Sequence, residues 1–406
     1  MKRYRIGIIG GGASGIMAAI TAAGEGMDVT LLEGGERIGR KILMTGNGRC
    51  NLSNLYMDEH MYYGANRDWI MNHIRQFDVQ DTIAFFQRLG LLVKDKNGYL
   101  YPYCEQASVL LDAMRFEAGA LGVKVVTGFK VDKIQKKSDV FVVSAEKNSF
   151  EFDRIIIACG GKAAPKTGSD GSGYTLAKQL GHTINPVVPA LVQLRCEETF
   201  MKSIAGVRAE GTVKVMSRGK CIVEETGEIQ FTDYGISGIP VFQISRVVNY
   251  MLLKQEKVTV KLDLLPGIDD STYEHIKINR KLLQNDRTIE ELFNGILNKK
   301  IMALFIKLTG LKPQESSDSL SDSSFDMVLA LCKNFELHVY ESNSFEQAQV
   351  CAGGVNVSEL TDTLESSIVP GAFFAGEIID VDGKCGGYNL QWAWSSGYIA
   401  AIAASK

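Results

Sequence analysis

The sequence predicts an α/β fold built on a parallel sheet, and three observations support this. An apolar strand pattern from Tyr4 to Ile9 runs directly into a glycine-rich turn at residues 10–15. Between Ile16 and Ala23, apolar residues then recur at helical spacing. A second apolar run at residues 29–32 ends at Glu33. Strand, glycine turn, helix and strand in this order predict the βαβ unit of a Rossmann-like domain.

The turn contains a GxGxxG pattern formed by Gly10, Gly12 and Gly15. The first glycine permits the tight turn, the second lets backbone N–H groups approach a pyrophosphate, and the third allows the helix to pack closely on the strand. Unpaired N–H groups at the helix start favour bound anions. The carboxylate of Glu33 can accept hydrogen bonds from ribose hydroxyls and would repel a 2′-phosphate. The pattern therefore predicts an unphosphorylated adenosine diphosphate moiety, as in FAD or NAD.

Composition indicates an ordinary globular protein of two or three domains, with 406 residues, 45% of them hydrophobic, and a net charge of −3. This charge gives no global basic surface, so we expect neither a nucleic-acid nor a membrane partner, although a local basic patch stays open. The eight cysteines form no CxxC or zinc-ligand spacing, so we expect no metal site and a cytoplasmic location. No signal peptide or membrane-spanning stretch is predicted.

The segment from Gly34 to Asn54 combines four basic residues with several glycines, and its two interpretations are a phosphate clamp and a solvated charged loop. Beyond it, the pattern predicts helices over residues 69–90 and 108–121, then a strand at 123–127. Three runs between Phe129 and Phe152 predict an antiparallel meander before a buried strand at 154–158. A meander that interrupts a parallel α/β unit is typical of domains that bind FAD.

The middle of the chain differs in character. Short strand runs at 191–194, 211–216, 221–225, 228–231 and 258–263 predict a small barrel, and helical patterns follow from Pro266. We therefore expect a Rossmann-like FAD domain made of residues 1–188 and 349–406, an inserted β-barrel-like substrate domain at 189–265, and an inserted helical lobe at 266–348. No second dinucleotide fingerprint occurs, so NAD(P)H would bind only transiently over the flavin.

Four motifs point to a family: GRKILMTGNGRCNLSN at 39–54, FTDYGISGIP at 231–240, CAGGV at 351–355 and AGEIIDVDGKCGGYNLQWAWSSG at 375–397. Together they resemble the BaiN-like flavoproteins, a group of NAD(P)/FAD-dependent oxidoreductases that includes aminoacetone oxidases and bile-acid reductases. The resemblance spans nearly the whole chain. It implies an FAD domain made from both chain ends, with the inserted barrel and helical lobe covering the flavin. Asn47 and Cys351 depart from the pattern of the group, where glycine and threonine are expected.

The resemblance also implies roles for individual residues. The glycine turn would hold the pyrophosphate, Glu33 the adenosine ribose, Val131 in the meander the adenine, and Glu377 the ribityl chain. Segments 49–51 and 389–390 would approach the isoalloxazine. The complete set of implied FAD-binding positions is Gly10, Gly12, Ala13, Ser14, Gly15, Glu33, Arg40, Lys41, Arg49, Cys50, Asn51, Val131, Gly160, Gly376, Glu377, Asn389 and Leu390.

FAD carries the redox chemistry, so the protein must position a substrate carbon against flavin N5 and move a proton. Tyr388 and Asp380 are the leading proton-transfer candidates, and a purely structural or binding role is the alternative for each. Cys50 is either a redox-active thiol or a packed cysteine.

Three functions remain open. The first is an FAD enzyme for a small molecule, either an NAD(P)H-linked reductase of an unsaturated or carbonyl compound or an amine-type oxidase that uses O₂. The second is a flavoprotein acting on RNA, which would need a basic face. The third is a non-enzymatic flavin redox sensor. No feature of the sequence indicates an oligomeric state.

Overall fold

The computed structural model describes residues 2–64, 66–284 and 287–406, apart from the side chain of Ser319. The chain forms two compact units, one made of Met1–Pro189 with Phe345–Lys406 and the other of Ala190–Ser344. The chain therefore begins and ends in the same unit.

Helices and strands are numbered along the whole chain. Among the described residues the α-helices are α1 (Ala13–Gly24), α2 (Arg67–Ile74), α3 (Val79–Arg88), α4 (Ala107–Ala120), α5 (Ser172–Gln179), α6 (Met201–Ile204), α7 (Ile239–Leu253), α8 (Asp270–Leu282), α9 (Ile289–Phe293), α10 (Lys299–Leu308), α11 (Asp322–Lys333) and α12 (Tyr388–Ala404). The strands are β1 (Arg5–Ile9), β2 (Asp28–Leu32), β3 (Ser53–Asn54), β4 (Tyr62–Gly64), β5 (Val93–Lys96), β6 (Tyr99–Pro102), β7 (Lys124–Val126), β8 (Lys133–Lys137), β9 (Val140–Ala145), β10 (Asn148–Phe152), β11 (Arg154–Ile157), β12 (Val188–Ala190), β13 (Leu194–Cys196), β14 (Arg208–Ser217), β15 (Lys220–Phe231), β16 (Gly235–Ser237), β17 (Val258–Asp263), β18 (Phe335–Ser342), β19 (Val350–Ala352), β20 (Ala372–Phe374) and β21 (Val381–Gly383).

The first unit is organised by a parallel sheet with the strand order β20-β11-β1-β2-β7. Ile8 of β1 lies opposite Leu31 on one side and Ile156 on the other, and all three side chains are fully buried. Strands covered on both faces need continuous apolar runs, which is why RIGII and RIII occur in the sequence. The predicted α/β fold with a βαβ unit is confirmed.

Helices α1 and α12 pack against each other. A methyl group on Gly397 of α12 would lie 2.5 Å from the carbonyl oxygen of Ser14 in α1, so glycine is needed there for the helices to approach. Trp392 and Trp394 of α12 are buried, and their indole N–H groups donate to the carbonyl oxygens of Gly376 and Leu52. The last helix thus joins the C-terminal segment to the first domain.

The meander between β7 and β11 starts later than predicted. Its strands β8, β9 and β10 form an antiparallel sheet, but β8 begins at Lys133 rather than Phe129. Val131 therefore precedes the meander instead of lying within it. The sequence does not predict the small sheet of β3, β6 and β5, because YLYP contains a proline and VKDK carries too much charge for an apolar strand signal.

The second unit contains a closed barrel with the strand order β13-β16-β15-β14-β17-β18. Strand β15 is continuous where two runs were predicted, because Gly227 adopts a φ of +154°, which glycine tolerates, and still pairs with Gly211. The last barrel strand, β18, follows the helices, and barrel and helix residues share one hydrophobic core. Residues 266–344 of the segment expected as a separate helical lobe belong to the same unit as the barrel, and residues 345–348 belong to the first unit.

Helix α7 was missed by the sequence interpretation. Pro240 lies in its first turn, and Val241, Ile244 and Val248 are fully buried at helical spacing. Over the described ranges of the chain, no helix has the length and apolarity needed to span a bilayer.

His182 is buried in the first unit between two hydrogen-bond partners. Its Nδ1 lies 3.1 Å from a Glu359 carboxylate oxygen, and its Nε2 lies 2.7 Å from the Ser366 hydroxyl. That hydroxyl accepts the Val369 N–H at 2.8 Å, so its own proton is free to point to Nε2. This network fits a neutral imidazole. Burial lowers the pKa of His182, and Glu359 opposes this shift.

The first prediction concerns the contact between α1 and α12. Gly397→Ala should lower the free energy of unfolding by about 1–3 kcal/mol, because the added methyl group overpacks a close helix contact. Gly24→Ala is the matched control, since no atom lies within 4 Å of its added methyl group and a helical alanine is favoured over glycine. Urea unfolding of both variants tests this. Equal midpoints for Gly397→Ala and the unaltered protein would contradict the packing argument.

The second prediction concerns pH. Because folded His182 takes up a proton less readily than unfolded histidine, protons favour the unfolded state. The free energy of unfolding should therefore be highest above the ordinary histidine pKa and should fall between about pH 7.5 and about pH 5.5. Buried His73, whose pKa burial also lowers, adds to this trend. His182→Gln should flatten the profile, and urea unfolding of this variant and of the unaltered protein across this pH range measures the difference.

Candidate cofactor and active site

The β1–α1 turn leaves the start of α1 open. Gly10 has a φ of +107°, and its N–H donates to the Leu32 carbonyl at 2.8 Å, which fixes the turn against β2. Gly12 is the N-cap residue of α1, it makes no side-chain capping hydrogen bond, and no atom lies within 4 Å of where its Cβ would be. The first N–H groups of a helix have no partner inside it, so this end can bind an anion.

Glu33 is held at the end of β2 by backbone donors. Its two carboxylate oxygens accept the N–H groups of Gly11 at 2.8 Å and Gly35 at 2.6 Å. Each oxygen keeps a further lone pair for a ribose hydroxyl. The Phe129 N–H donates to the Glu33 carbonyl, which brings the segment that leads to Val131 to the same end of the site.

The C-terminal Gly-Glu pair meets the start of α1. Gly376 has a φ of +81°, and a Cβ there would collide with the Ser14 hydroxyl. Glu377 next to it forms a salt bridge to the Lys41 ammonium group at 2.7 Å and accepts the Cys351 N–H at 2.8 Å. Residues from three distant segments therefore converge beside the glycine turn.

A second glycine-rich segment lies beside Glu377 and contributes a residue that the sequence interpretation missed. The Ser169 hydroxyl is buried without a hydrogen-bond partner among the described residues. It lies 3.1 Å from the position of a Cβ on Gly160, and a Glu377 oxygen lies 3.9 Å from that position. Arg40 donates to the Lys166 carbonyl of the same segment. The glycine density of residues 160–174 was the available signal.

The segment Arg49–Asn51 is tightly constrained. Cys50 is fully buried and adopts a φ of +59°. Burial raises the pKa of its thiol to about 11, although a hydrogen bond to Thr45 opposes this, so the thiol is protonated at neutral pH and lacks the reactivity of a thiolate. The buried Oδ1 of Asn51 has no partner among the described residues, which leaves it available to a ligand donor. Arg49 is half exposed.

Helix α12 begins next to this segment. Its N-cap Gly387 makes no side-chain capping bond, and a Cβ there would lie 2.5 Å from the Ser53 carbonyl oxygen. The Asn389 side chain both accepts the Gly383 N–H and donates to the Gly383 carbonyl, each at 2.8 Å. That side chain is therefore committed to the preceding turn, and Leu390 packs partly on the core. Any contact from these positions to a flavin would come through the backbone N–H groups of the helix start.

The two proton-transfer candidates have different surroundings. The Tyr388 hydroxyl donates to the Tyr56 carbonyl at 3.2 Å, and burial raises its pKa to about 12. Asp380 is buried. Its Oδ2 accepts from the Asn185 amide at 2.7 Å, and its Oδ1 has no hydrogen-bond partner in the described part of the chain. Asp380 thus keeps one unused oxygen, whereas the Tyr388 proton already has an acceptor.

These residues fit an FAD molecule. The open helix start at Gly12 suits a diphosphate, Glu33 a ribose, and the unpartnered Ser169 and Asn51 atoms suit ligand hydroxyl and N–H groups. No group of three or more His, Cys, Asp or Glu side chains within the described ranges is arranged to hold a metal ion. All eight cysteines are free thiols.

Comparisons with known proteins agree with this geometry. A family described as HI0933-like protein Rossmann domain matches residues 4–403. A 3-dehydro-bile acid delta(4,6)-reductase of Clostridium scindens is 43% identical over 405 residues, which cover 99% of each chain. A ribosomal RNA dihydrouridine synthase of Haemophilus influenzae is 30% identical over 408 residues, which cover 98% of each chain. The resemblance predicted from the four motifs is confirmed.

Among solved structures, the 3-ketosteroid delta1-dehydrogenase of Sterolibacterium denitrificans aligns over all of both chains with a TM-score of 0.52 and 10% identity. At this identity the likeness concerns the fold alone.

The third prediction tests the open helix start. Gly12→Asp should keep the fold, because Asp is a good N-cap residue and the added side chain meets no atom. It should abolish FAD binding, because the carboxylate repels a diphosphate, with a loss of affinity of about 100-fold or more, equivalent to about 2.7 kcal/mol. Flavin absorbance of the purified protein and unfolding of the flavin-free protein measure the two effects. Retained flavin would show that the diphosphate binds elsewhere.

Proposed function

The chain belongs to the HI0933-like family of Rossmann-domain proteins, and from that premise we propose that it is an FAD-dependent reductase of carbon–carbon double bonds conjugated to a carbonyl group. The main observation that supports this proposal is the start of α1, where no side chain caps the backbone N–H groups. The carboxylates of Glu33 and Glu377 lie near it and are held by hydrogen bonds from backbone N–H groups. The names of the relatives supply the bond type.

Two relatives with different substrates support the same bond. A 3-dehydro-bile acid with delta(4,6) unsaturation carries double bonds conjugated to a 3-oxo group. Dihydrouridine is uridine whose ring double bond, conjugated to a ring carbonyl, has been saturated. When a double bond conjugated to a carbonyl group is reduced, the carbon remote from the carbonyl accepts a hydride and its neighbour accepts a proton. The shared chemistry supports a conjugated carbonyl compound as the substrate class.

FAD, when bound, supplies hydride transfer at its N5 atom. The residues of this chain would hold it in two groups. The α1 turn, Glu33 and Lys41 would bind the diphosphate and adenosine, with Val131 beside the adenine. The second group, at Asn51 and the α12 start, would face the isoalloxazine, where helix N–H groups favour negative charge on a reduced ring.

The proton that completes the reduction needs a donor, and Asp380 and Tyr388 remain the proposed candidates. The unused Asp380 oxygen favours the aspartate, since the Tyr388 proton is already donated to a backbone carbonyl. We propose NAD(P)H as the electron donor, bound transiently over the flavin. An amine-type oxidase that passes electrons to O₂, and a redox sensor without a substrate, are the competing functions.

Anaerobic spectrophotometry of the purified protein tests the function. NADH or NADPH should bleach the absorbance of oxidised flavin, and a conjugated enone added afterwards should restore it. Bleaching by amines with rapid recovery in air would instead establish an oxidase. Bleaching by NAD(P)H with no recovery on any conjugated carbonyl compound would overturn the proposed substrate class.

The fourth prediction separates the proton donors. Asp380→Asn should slow flavin reoxidation by the enone about 10²–10⁴-fold while flavin reduction by NAD(P)H persists, since only the transfer of hydride to the enone is completed by a proton from the protein. Tyr388→Phe should slow reoxidation less than about tenfold and cost about 1 kcal/mol of stability through its lost hydrogen bond. The reversed order of the two effects would assign the donor role to the tyrosine.

A further inference from the structure

The β5–β6 hairpin of the first unit carries lysines and tyrosines on one face. Lys94 lies opposite Tyr101, and Lys96 lies opposite Tyr99. Residues that face each other across a strand pair share one side of the sheet, so these four side chains lie together. The opposite side carries Leu100, which is buried. One face thus anchors the hairpin, and the other is polar and aromatic.

Rings and cations alternate on this exposed face. Tyr103 follows two residues after Tyr101 and is 65% exposed. The Lys94 ammonium group lies 5.3 Å from the centre of the Tyr103 ring, and the Lys96 ammonium group lies 5.8 Å from the centre of the Tyr101 ring. Each lysine therefore has an aromatic neighbour that holds it near the surface while part of the ring stays open.

The cations of this face outnumber their counter-ion. Lys94 and Lys96 each lie 2.5 Å from one oxygen of Glu105, and Arg49 lies 3.7 Å from its other oxygen. Hydrogen bonds from Lys94 and Lys96 lower the pKa of Glu105 to about 2, so it is ionised at neutral pH. Three cations around one carboxylate leave an excess of two positive charges on a protein whose net charge is −3.

The face also borders the segment proposed to contact the flavin. Strand β6 pairs with β3, which begins at Ser53, two positions after Asn51. A Tyr101 ring carbon lies 3.7 Å from the position of a Cβ on Gly46 in the loop before Asn51. A ligand on this face would therefore lie beside the proposed isoalloxazine site of the same unit.

We propose that the exposed face of the β5–β6 hairpin binds a single-stranded RNA segment. Excess positive charge attracts phosphates, and the exposed Tyr99 and Tyr103, with the partly buried Tyr101 between them, offer stacking surfaces that accept any base. The proposal deepens the proposed function, because the uracil ring contains a double bond conjugated to a carbonyl. Binding itself is measured without any redox reaction.

A nicotinamide dinucleotide is the competing ligand, because it also carries phosphates and a base. The geometry favours a longer strand. Tyr99 and Tyr101 of β6 and Tyr103, the first residue after the strand, follow one another at intervals of about 7 Å, so several bases in succession could stack, whereas a dinucleotide offers one adenine besides the nicotinamide. The experiment therefore measures both ligands.

The experiment uses the full chain with FAD and a fluorescently labelled single-stranded RNA of about 10 nucleotides, within the usual site size. Anisotropy titrations at salt concentrations between about 50 and about 200 mM give the affinity and its salt dependence. Lys94→Ala with Lys96→Ala should weaken binding about tenfold or more and lower the salt slope by about 1.4, because two phosphate contacts are lost. Tyr103→Ala should weaken it about 5- to 150-fold, and Tyr103→Phe should restore it, because stacking needs only the ring.

Two variants distinguish RNA binding from general effects of charge or folding. Glu105→Gln should tighten RNA binding several-fold, since it releases two lysines, whereas a purely structural ion cluster would give no gain. Lys133→Ala with Lys137→Ala removes the same charge from the exposed strand β8 and should leave the affinity unchanged. Flavin content and unfolding midpoints verify the fold of each variant.

Three results would overturn the proposal. They are RNA affinity too weak to measure at low salt, equal losses in the β5 and β8 lysine variants, and an increased KM for NADPH in the β5 variant without loss of RNA binding. The last result would assign the face to the electron donor. Failure of enone reduction with intact RNA binding would overturn the proposed function and leave this inference standing.

Discussion

The first unit depends on one constraint, the close approach of Gly376 and Gly397 to Ser14. Ser14, the second residue of α1, lies between Gly376 and Gly397, and neither glycine could carry a side chain without collision. This contact joins segments more than 360 residues apart and brings Glu377 beside the glycine turn. Because the interior is close-packed, a single methyl group here would move the helix start that the diphosphate needs. Fold and cofactor site therefore share one contact.

The electrostatics of the site depend on which of its charged groups already have a partner within the protein. Glu33 and Glu377 are carboxylates near a place meant for a diphosphate, and each would repel it if left free. Backbone N–H groups hold Glu33, and Lys41 with the Cys351 N–H holds Glu377. Both carboxylates are thereby held by donors of the protein itself, while the first N–H groups of α1 have no partner inside the helix.

The substrate class depends on which molecule contains the conjugated double bond, a small compound or RNA, because the bond that is reduced is the same in both. Reduction of a conjugated double bond is common to the named bile-acid and RNA relatives. The same flavin site could serve either carrier, because function is decided by what reaches the site. The lysine and tyrosine face on the β5–β6 hairpin is a local surface with excess positive charge and aromatic rings. The net charge of −3 of the whole chain does not reveal it.

The sequence by itself determined the βαβ unit, the glycine turn between its first strand and helix, the acid at the end of its second strand and the family, because these depend on local periodicity and on spacings within about 30 residues. Only the tertiary structure decided that Ser169 lies beside Glu377, that Val131 precedes its strand, that β18 closes the barrel after the helices, and that Lys94 and Tyr101 share a face. The physical reason is that strand register and contacts between distant segments are set by packing of the whole core, and a one-residue shift in register would turn every side chain of a strand to the other face.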